Sequence, residues 1–293
     1  MHPDPLSDSS IGRLVQFALM EDVGLGDLTS TAVVPEGDRS AGRVLCKEEG
    51  IIAGLDVAAL VFQSCDRAIE FRIHCTDGSR VHTGDVVADV QGDTRAILRG
   101  ERTALNFLQR MSGIATLTRQ YVDAVAGTAA KITDTRKTVP GLRGLDKMAV
   151  RLGGGVNHRF GLDDMILVKD NHILAAGGIT AAVRRCVDYL SVRELDVPIE
   201  VETRTLAEVR EALRCAGVKR IMLDNFDITG MREAVKCVDH AKEVEASGGV
   251  TLESVREVAE TGVDFISVGA LTHSTRALDL SLDLAARTRQ TQD

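Results

Sequence analysis

The sequence contains few aromatic residues and no long apolar run. Its 293 residues include no Trp, two Tyr and seven Phe, so a core would consist mainly of Leu, Val, Ile and Ala, which suits a barrel with small interior layers. No apolar run approaches the roughly 18 residues that a membrane span requires. The polar first ten residues lack the charged-then-apolar pattern of a secretory signal. The sequence therefore predicts a protein with no membrane partner.

Paired cysteine motifs and an excess of positive charge are missing as well. None of the six Cys belongs to a C-x-x-C motif, which gives no zinc spacing and favours reduced thiols in the cytoplasm. A formal net charge of −8 argues against a nucleic-acid partner. The prediction is a cytoplasmic protein that binds neither nucleic acid nor membrane.

Five strand-like segments in the second half each end on a residue that could do chemistry. With spacings of 33, 22, 23 and 22 residues, the ends fall at Lys169, Glu202, Asp224, Ser247 and Gly269. An apolar run, one polar residue and then a helix is typical of parallel β/α units wound into a barrel. A barrel of this kind gathers the C-terminal ends of its strands around one mouth. The helix after Glu202 is predicted to begin with a capping box at Thr205 and Glu208.

The first third of the chain has a different pattern. Strands predicted at 41–47, 68–75 and 80–90, with few long helices, indicate a separate α+β domain. A helical stretch from about 95 to 126, interrupted at Ser112-Gly113, connects it to the barrel. We predict an N-terminal domain over 1–115, joined by a C-terminal helix over 274–293, and an α/β barrel domain over 116–273.

A basic stretch precedes the series of strand ends. Between Lys131 and Arg159 there are seven Lys or Arg and two acids, which indicates an anionic substrate or, alternatively, a solvated basic face. Three consecutive glycines, 153–155, allow a backbone to approach a ligand closely. Arg136 and Arg159 could each grip a carboxylate through paired hydrogen bonds. A substrate with two carboxylates would use both.

The acids at the strand ends suit a different task. Glu202 and Asp224 end neighbouring strands and should face one cavity, where carboxylates could hold Mg²⁺ with phosphates, bind a ribose, or stabilise a growing positive charge. Alternatively, one of them is a structural salt-bridge partner. Glu200 points the same way as Glu202 and either shares its role or is a partner buried deeper in the barrel.

Two loops of small residues follow the last two strands. Ser247-Gly248-Gly249, with a helix predicted to open at Thr251, and the loop beginning at Gly269 are typical of a barrel phosphate site. Each loop taken alone could equally be a tight turn.

Lys169 supports a competing interpretation. A Lys at a barrel strand end can form a Schiff base, which would make the protein a lyase and would be detected by borohydride trapping. A third possibility is a non-enzymatic barrel that binds anions, although acids at Glu202 and Asp224 would hinder that task.

Taken together, the motifs resemble those of the quinolinate phosphoribosyltransferase family, the carboxylating nicotinate-nucleotide pyrophosphorylases. The matching segments are EDVGLGDLTS, ERTALNFLQRMSGIAT, DTRKTVPGLR, GGGVNHRFGL, ILVKDNH, EVET, MLDNF, EASGG and SVGALTHS. The resemblance implies an N-terminal α/β sandwich followed by an open α/β barrel of the type II phosphoribosyltransferase kind, working as a homodimer. It implies transfer of phosphoribosyl from phosphoribosyl pyrophosphate to quinolinate in NAD biosynthesis, with loss of CO2 and with Mg²⁺ as helper.

The resemblance also implies roles for individual residues. The positions expected to hold the quinolinate carboxylates are Arg136, Lys137, His158, Arg159 and Lys169. Glu202 and Asp224 would face the ribose and the metal-bound pyrophosphate, and Arg102 would enter the neighbouring subunit's site. The remaining expected substrate-binding positions, mostly around the 5′-phosphate, are Thr135, Ser247, Gly248, Gly249, Val268, Gly269, Ala270 and His273. Lys137, Glu202 and Asp224 are the expected catalytic residues. A related pyrophosphorylase that acts on another heterocyclic acid is the nearest alternative.

Overall fold

The computed structural model describes residues 8–285, and its contacts divide the chain into two compact units. The first unit contains residues up to 117, the segment 139–154 and the residues from 275 onward. The second contains residues 118–138 and 155–274. The domain limits of 115/116 and 273/274 remain a prediction, since these units are defined by contacts alone.

The first unit is built around an antiparallel sheet. Its elements are α1 (Asp8–Val23), α2 (Leu28–Val33), β1 (Arg39–Cys46), β2 (Gly50–Ile51), α3 (Leu55–Cys65), β3 (Glu70–Ile73), β4 (Arg80–Val81), β5 (Val86–Asp93) and the first part of α4 (Thr94–Ala124). A further helix follows in the segment 139–154. The sheet order is a C-terminal strand, β1, β5 and β3. The antiparallel sheet agrees with the α+β character predicted for this part of the chain.

The helix predicted over 274–293 is wrong in the part that the structure describes. That part contains a strand, Leu280–Leu284, which pairs antiparallel with β1 so that Leu284 lies opposite Gly42. Its sequence, LSLDL, alternates apolar and polar residues, which is the period of a half-buried strand. Residues 286–293 lie outside the described part of the chain.

The interruption predicted at Ser112-Gly113 is also wrong, because α4 runs unbroken for 31 residues. Tertiary contacts use the two small residues. The hydroxyl of Ser112 accepts a hydrogen bond from the backbone N–H of Ala53 at 2.9 Å. A side chain at Gly113 would collide with the backbone carbonyl of Arg276. The glycine at 113 is explained by the close approach of the Arg276 backbone to α4, and not by a break in the helix.

The second unit is a parallel sheet with helices between its strands. The helix α5 (Arg143–Leu152) follows β6 in the chain but belongs to the first unit. The elements of the second unit are β6 (Lys131–Thr133), β7 (Ile166–Val168), α6 (Asp170–Ala176), α7 (Ile179–Arg193), β8 (Ile199–Thr203), α8 (Leu206–Arg214), β9 (Val218–Asp224), α9 (Ile228–Val238), β10 (Glu243–Ser247), α10 (Val255–Ala259), β11 (Phe265–Ser267) and α11 (Ala270–His273). The order β6-β11-β10-β9-β8-β7 is parallel throughout. This barrel-like arrangement confirms the predicted fold class; the C-terminal strand of the first unit is β12 (Leu280–Leu284).

The strands of the second unit separate apolar and polar residues by face. On β9, Ile221 and Leu223 are fully buried, whereas Met222 and Asp224 line a cavity. Ala246 on β10 is buried in the same way, and its neighbours on either side line the cavity. Because side chains alternate along a strand, one face packs against helices and the other carries the polar residues.

The predicted capping box is confirmed at the start of α8. The backbone N–H of Thr205 donates to Glu208 Oε2 at 3.1 Å, and the N–H of Glu208 donates to the Thr205 hydroxyl at 3.2 Å. It fixes the chain directly after β8, where cavity residues lie. Within residues 8–285, no helix has the length and apolar character needed to cross a membrane.

Candidate active site

A cavity of about 520 Å³ opens in the second unit at the C-terminal ends of its strands. This is the end of a β/α barrel at which enzymes of the fold carry their active sites. Its lining consists of Thr135, Arg136, Lys137, His158, Arg159, Leu167, Lys169, Asp170, Glu202, Arg204, Met222, Asp224, Glu245, Ser247 and Ser267. A volume of this size lies in the usual range for small-molecule sites.

The cavity brings together nine of the sequence-predicted positions. They are Thr135, Arg136, Lys137, His158, Arg159, Lys169, Glu202, Asp224 and Ser247. The predicted positions outside the lining are Arg102, Gly248, Gly249, Val268, Gly269, Ala270 and His273. Arg102 is exposed on α4 in the first unit, and Val268 is buried. The functional roles of all these residues remain predictions.

Two guanidinium groups form the basic part of the cavity. Arg136 Nε is buried and has no hydrogen-bond acceptor among residues 8–285. Burial, followed by the nearby charge of Arg136, lowers the pKa of Arg159. Arg159 donates from Nη1 to the carbonyl of Met165 at 3.1 Å, which orients it. A buried donor beside a second cation is costly unless an anion satisfies it, so this pair is suited to binding carboxylate.

The segment that carries His158 is held by a buried acid. Asp134, directly after β6, accepts hydrogen bonds from Asn157 Nδ2 at 2.6 Å and from the backbone N–H of His158 at 2.9 Å. Asp134 is fully buried. Its two bonds tie the glycine-rich stretch to the sheet and thereby set the position of Arg159.

Both ring nitrogens of His158 face protein groups. Nδ1 accepts the backbone N–H of Arg159 at 2.8 Å, and Nε2 lies 3.0 Å from Glu200 Oε2 and 3.5 Å from Glu245 Oε1. The neutral ring therefore carries its proton on Nε2. His158 was predicted to bind a substrate carboxylate, and this geometry instead suits a residue that positions Arg159.

Glu200 and Glu245 form a buried carboxylate pair, of which Glu245 lines the cavity. Burial raises the pKa of both, and for Glu245 the charge of Glu200 raises it further. Arg220 Nη1 donates to Glu245 Oε2 at 2.9 Å. The ligand atoms of His158, Glu200 and Glu245 all lie within 4.8 Å of one another, as at a metal site. The Arg220 guanidinium already supplies positive charge there, so a proton fits this pair better than a second cation.

Glu245→Gln should reduce the pH dependence of stability. The folded-state pKa of Glu245, about 7, lies above its ordinary value of 4.5, so the folded chain retains a proton that the unfolded chain loses between those pH values. Stability is therefore lost as pH rises through this window. We expect the native free energy of unfolding to fall about 2 kcal/mol further from pH 5 to 8 than that of the variant. Urea denaturation at each pH measures this.

The matched control for that experiment is Glu243→Gln. Glu243 lies on the same strand and contacts the same Arg220 at 3.1 Å, but its side chain is 36% exposed. This variant should keep the native slope. Equal slopes for Glu245→Gln and the native protein would contradict the assignment of the buried proton.

The acids occupy another part of the lining. Glu202, on β8, is buried, and Asp224 ends β9 with its side chain 18% exposed. Lys169 Nζ lies 3.3 Å from Glu202 Oε2. Because its terminal nitrogen is engaged by this carboxylate, Lys169 is poorly placed for the nucleophilic role of a Schiff-base lysine. Glu200 takes the second of its two predicted roles, as a partner buried below Glu202.

The two small-residue loops lie at the ends of β10 and β11. Gly248 and Gly249 have φ values of 102° and 61°, which favour glycine. A Cβ at Gly269 would lie 3.1 Å from both Lys137 Cδ and His273 Nε2, so that loop passes close to the cavity's lysine. The helix predicted to open at Thr251 begins later, at Val255, because residues 252–254 form a turn first. The backbone of the glycines, rather than a helix end, is the feature available to a phosphate.

Sequence reasoning missed Arg204 and Glu245, both of which line the cavity. Arg204 directly follows β8, which extends to Thr203 rather than ending at Glu202. Glu245 precedes Ser247 by two residues and therefore faces the same side of β10. The alternation that linked Glu200 to Glu202 could have found Glu245.

Fold and cavity define a class of protein, an α/β barrel enzyme with a basic cavity at the C-terminal ends of its strands. The sequence matches two family profiles, "Quinolinate phosphoribosyl transferase, N-terminal domain" over residues 27–112 and the corresponding C-terminal domain over 114–283. The chain belongs to the quinolinate phosphoribosyltransferase family. It is a carboxylating nicotinate-nucleotide pyrophosphorylase, and it acts in de novo NAD biosynthesis.

Individual relatives agree with this assignment. A mitochondrial quinolinate phosphoribosyltransferase (decarboxylating) of Nicotiana tabacum is 47% identical over 286 residues, which cover 92% of this chain and 81% of that protein. A probable nicotinate-nucleotide pyrophosphorylase (carboxylating) of Bacillus subtilis is 44% identical over 93% of this chain and 92% of its own. The solved nicotinate-nucleotide pyrophosphorylase of Francisella tularensis superposes with a TM-score of 0.91 at 38% identity, covering 96% of this chain and 98% of that one. A Schiff-base lyase and a non-enzymatic anion binder are both excluded as the main function.

Proposed function

We propose that the basic part of the cavity binds the two carboxylates of quinolinate. Arg136, Arg159 and Lys169 supply the charge, while His158 holds the segment in place. The observation that carries this proposal is the buried Arg136 Nε, which lacks an acceptor beside a second guanidinium. A dicarboxylate satisfies both groups, whereas nicotinate, with one carboxylate, satisfies only one.

The phosphoribosyl substrate is assigned to the rest of the lining and the adjoining loops. Ser247, Thr135 and the backbone of Gly248, Gly249, Gly269 and Ala270, with Val268 and His273 beside them, are proposed to surround the 5′-phosphate. Support comes from the left-handed glycines after β10 and from the closeness of Gly269 to Lys137. Consecutive backbone N–H groups in such loops bind phosphate in many barrels.

Glu202 and Asp224 fit Mg²⁺. One guanidinium, that of Arg204, lies 3.9 Å from Glu202 Oε1 and 3.5 Å from Asp224 Oδ2, so both carboxylates are directed at a single place. Mg²⁺ typically takes one or two carboxylates together with substrate phosphates. When bound there, it would mask the charge of the departing pyrophosphate. Glu202 and Asp224 are the residues that would hold it, directly or through pyrophosphate.

The residues of the chain then divide the reaction among themselves. As the bond from the anomeric carbon to pyrophosphate breaks, Glu202 and Asp224 stabilise the positive charge on the ribose. The pyridine nitrogen forms the new bond to that carbon and becomes cationic. The adjacent carboxylate leaves as CO2, and its electron pair stays on the ring carbon. Lys137 donates the proton that completes nicotinate mononucleotide.

The assembly and location are proposed as well. A homodimer, in which Arg102 enters the neighbouring subunit's cavity, is supported by the exposure of Arg102 on α4 and by its absence from the cavity lining of its own chain. A cytoplasmic location is supported by the six cysteines, which are free thiols in this structure.

Lys137→Met tests the proposed proton donor. Loss of a positioned general acid typically costs about a hundredfold or more in rate, so we expect kcat, followed as CO2 release, to fall by about that factor. Lys169→Met is the matched control. It removes the same charge from a residue proposed to hold a carboxylate, and it should raise KM for quinolinate more than it lowers kcat. A Lys137→Met protein that releases CO2 at the native rate would exclude Lys137 from this role.

A further inference from the structure

Arg204 makes contacts that link three acids at the mouth of the cavity. Its Nη2 lies 2.9 Å from Asp170 Oδ2 and 3.9 Å from Glu202 Oε1, and its Nε lies 3.5 Å from Asp224 Oδ2. Asp170 begins α6, Glu202 lies on β8 and Asp224 ends β9. The guanidinium therefore covers acids that come from three separate elements.

The backbone of Arg204 is held by a hydrogen bond, whereas its side chain is largely exposed. Its N–H donates to Glu208 Oε2 at 2.6 Å, as part of the capping arrangement of α8. The side chain is 56% exposed. A long, exposed side chain anchored at its base can change partners without moving the strand.

The charge around Arg204 creates a conflict for an anionic substrate. Asp170, Glu202 and Asp224 carry three negative charges in one part of the lining, and the described cations next to them are Arg204 and Lys169. A diphosphate group that approaches this rim is repelled by the acids. A guanidinium lowers that repulsion, and it can also bind phosphate oxygens through paired donors.

We propose that Arg204 is a further substrate-binding residue, which covers the acids in the ligand-free protein and turns to the diphosphate of phosphoribosyl pyrophosphate on binding. This rests on the proposed placement of the diphosphate at the Glu202–Asp224 rim. A surface ion pair of this exposure contributes little to stability by itself. The position of Arg204 at the mouth of the cavity is therefore better explained by a role in substrate binding than by a contribution to folding.

Direct binding of inorganic pyrophosphate tests this proposal. We titrate pyrophosphate, with and without Mg²⁺, into the native protein and Arg204→Gln by calorimetry. The variant should bind about tenfold more weakly, as expected for the loss of a charge-assisted contact. KM for phosphoribosyl pyrophosphate should rise by about the same factor, and KM for quinolinate should change less than about twofold. Arg204→Lys, which keeps the charge but loses the paired donors, should fall between the two.

A second substitution should change the affinity for pyrophosphate in the opposite direction. Asp170→Asn removes the nearest partner of Arg204 and one negative charge from the rim, so pyrophosphate should bind about two- to threefold more tightly. If the ion pair between Arg204 and Asp170 had only a structural role, both Arg204→Gln and Asp170→Asn would bind pyrophosphate more weakly than the native protein or with the same affinity. That result overturns the proposal. Unchanged pyrophosphate affinity in Arg204→Gln also overturns it. If the native protein binds quinolinate but no pyrophosphate, the proposed placement of the diphosphate at the rim is wrong as well as the proposed role of Arg204. This outcome distinguishes a failure of the placement from a failure of the role of Arg204 alone.

Discussion

Arg159→Ala should lower kcat/KM for quinolinate several hundredfold. The Arg159 guanidinium lines the cavity, is held toward it by the carbonyl of Met165, and lies close enough to Arg136 that the charge of Arg136 lowers the pKa of Arg159. Removing one member of a desolvated charge pair costs about 2–5 kcal/mol, and 1.4 kcal/mol is tenfold. Steady-state rates at varied quinolinate, with phosphoribosyl pyrophosphate saturating, measure the loss.

The matched control is Arg151→Ala. Arg151 belongs to the same basic stretch, but it is exposed on α5 and does not line the cavity. Its removal takes the same charge from the molecule and should leave kcat/KM within about twofold of native. Arg159→Lys should recover only part of the loss, since an ammonium cannot make the paired hydrogen bonds of a guanidinium. An Arg159→Ala protein with native KM for quinolinate would place the dicarboxylate elsewhere.

The contrast between Arg159 and Arg151 also shows what a charge count can predict. The basic stretch from Lys131 to Arg159 predicts an anion site, but only Arg136, Lys137 and Arg159 of its seven cations line the cavity. Lys147, from the same stretch, is buried in the first unit. Net charge over a segment does not depend on direction, whereas binding depends on which way each side chain points.

Strand ends in the second unit could be predicted because two signals agree there. Apolar residues face the helices at alternate positions. Lys169, Asp224 and Ser247 follow or end these strands, and Glu202 lies one residue before the end of β8. In a parallel sheet all such ends meet on one side. Knowledge of the strand direction was therefore enough to place these residues in one cavity.

The network below the cavity could not be predicted, since it depends on register. Arg220 lies opposite Glu200 on β8 and opposite Glu243 on β10. A shift of one residue would turn either carboxylate to the other face of the sheet. Nothing in a single sequence fixes that pairing. Likewise, LSLDL near the C-terminus pairs with β1 across more than 200 residues, and local pattern alone does not reveal such a partner.

Asp224→Asn should lower kcat about a hundredfold or more while KM for quinolinate stays near native. The substitution keeps the shape of the side chain but removes the charge proposed to stabilise the ribose as pyrophosphate leaves. Loss of one preorganised electrostatic group typically costs about 10²–10³ in kcat. The substitution should lower kcat rather than weaken quinolinate binding, because the positive charge on the ribose develops only in the transition state. The expected pattern, a lower kcat with a near-native KM for quinolinate, therefore differs from that of Arg159→Ala, which should change KM for quinolinate.

Asp239→Asn is the control for this substitution. Asp239 is exposed and follows α9 with a φ of 44°, a conformation that Asn tolerates as well as Asp. The same chemical change at that position should leave kcat and thermal stability near native. A similar loss of kcat in both variants would mean that net charge, rather than the position of the carboxylate, controls the rate.

Varying Mg²⁺ separates the two tasks proposed for Asp224. If its main task is to hold the ion, a higher concentration should restore most of the rate of Asp224→Asn, because weaker binding is overcome by mass action. If its main task is to stabilise the ribose charge directly, saturating Mg²⁺ should leave the deficit in place. The second result is the expected one, because the diphosphate itself supplies further oxygen ligands to the ion. A carboxylate beside the anomeric carbon, in contrast, acts on the transition state itself.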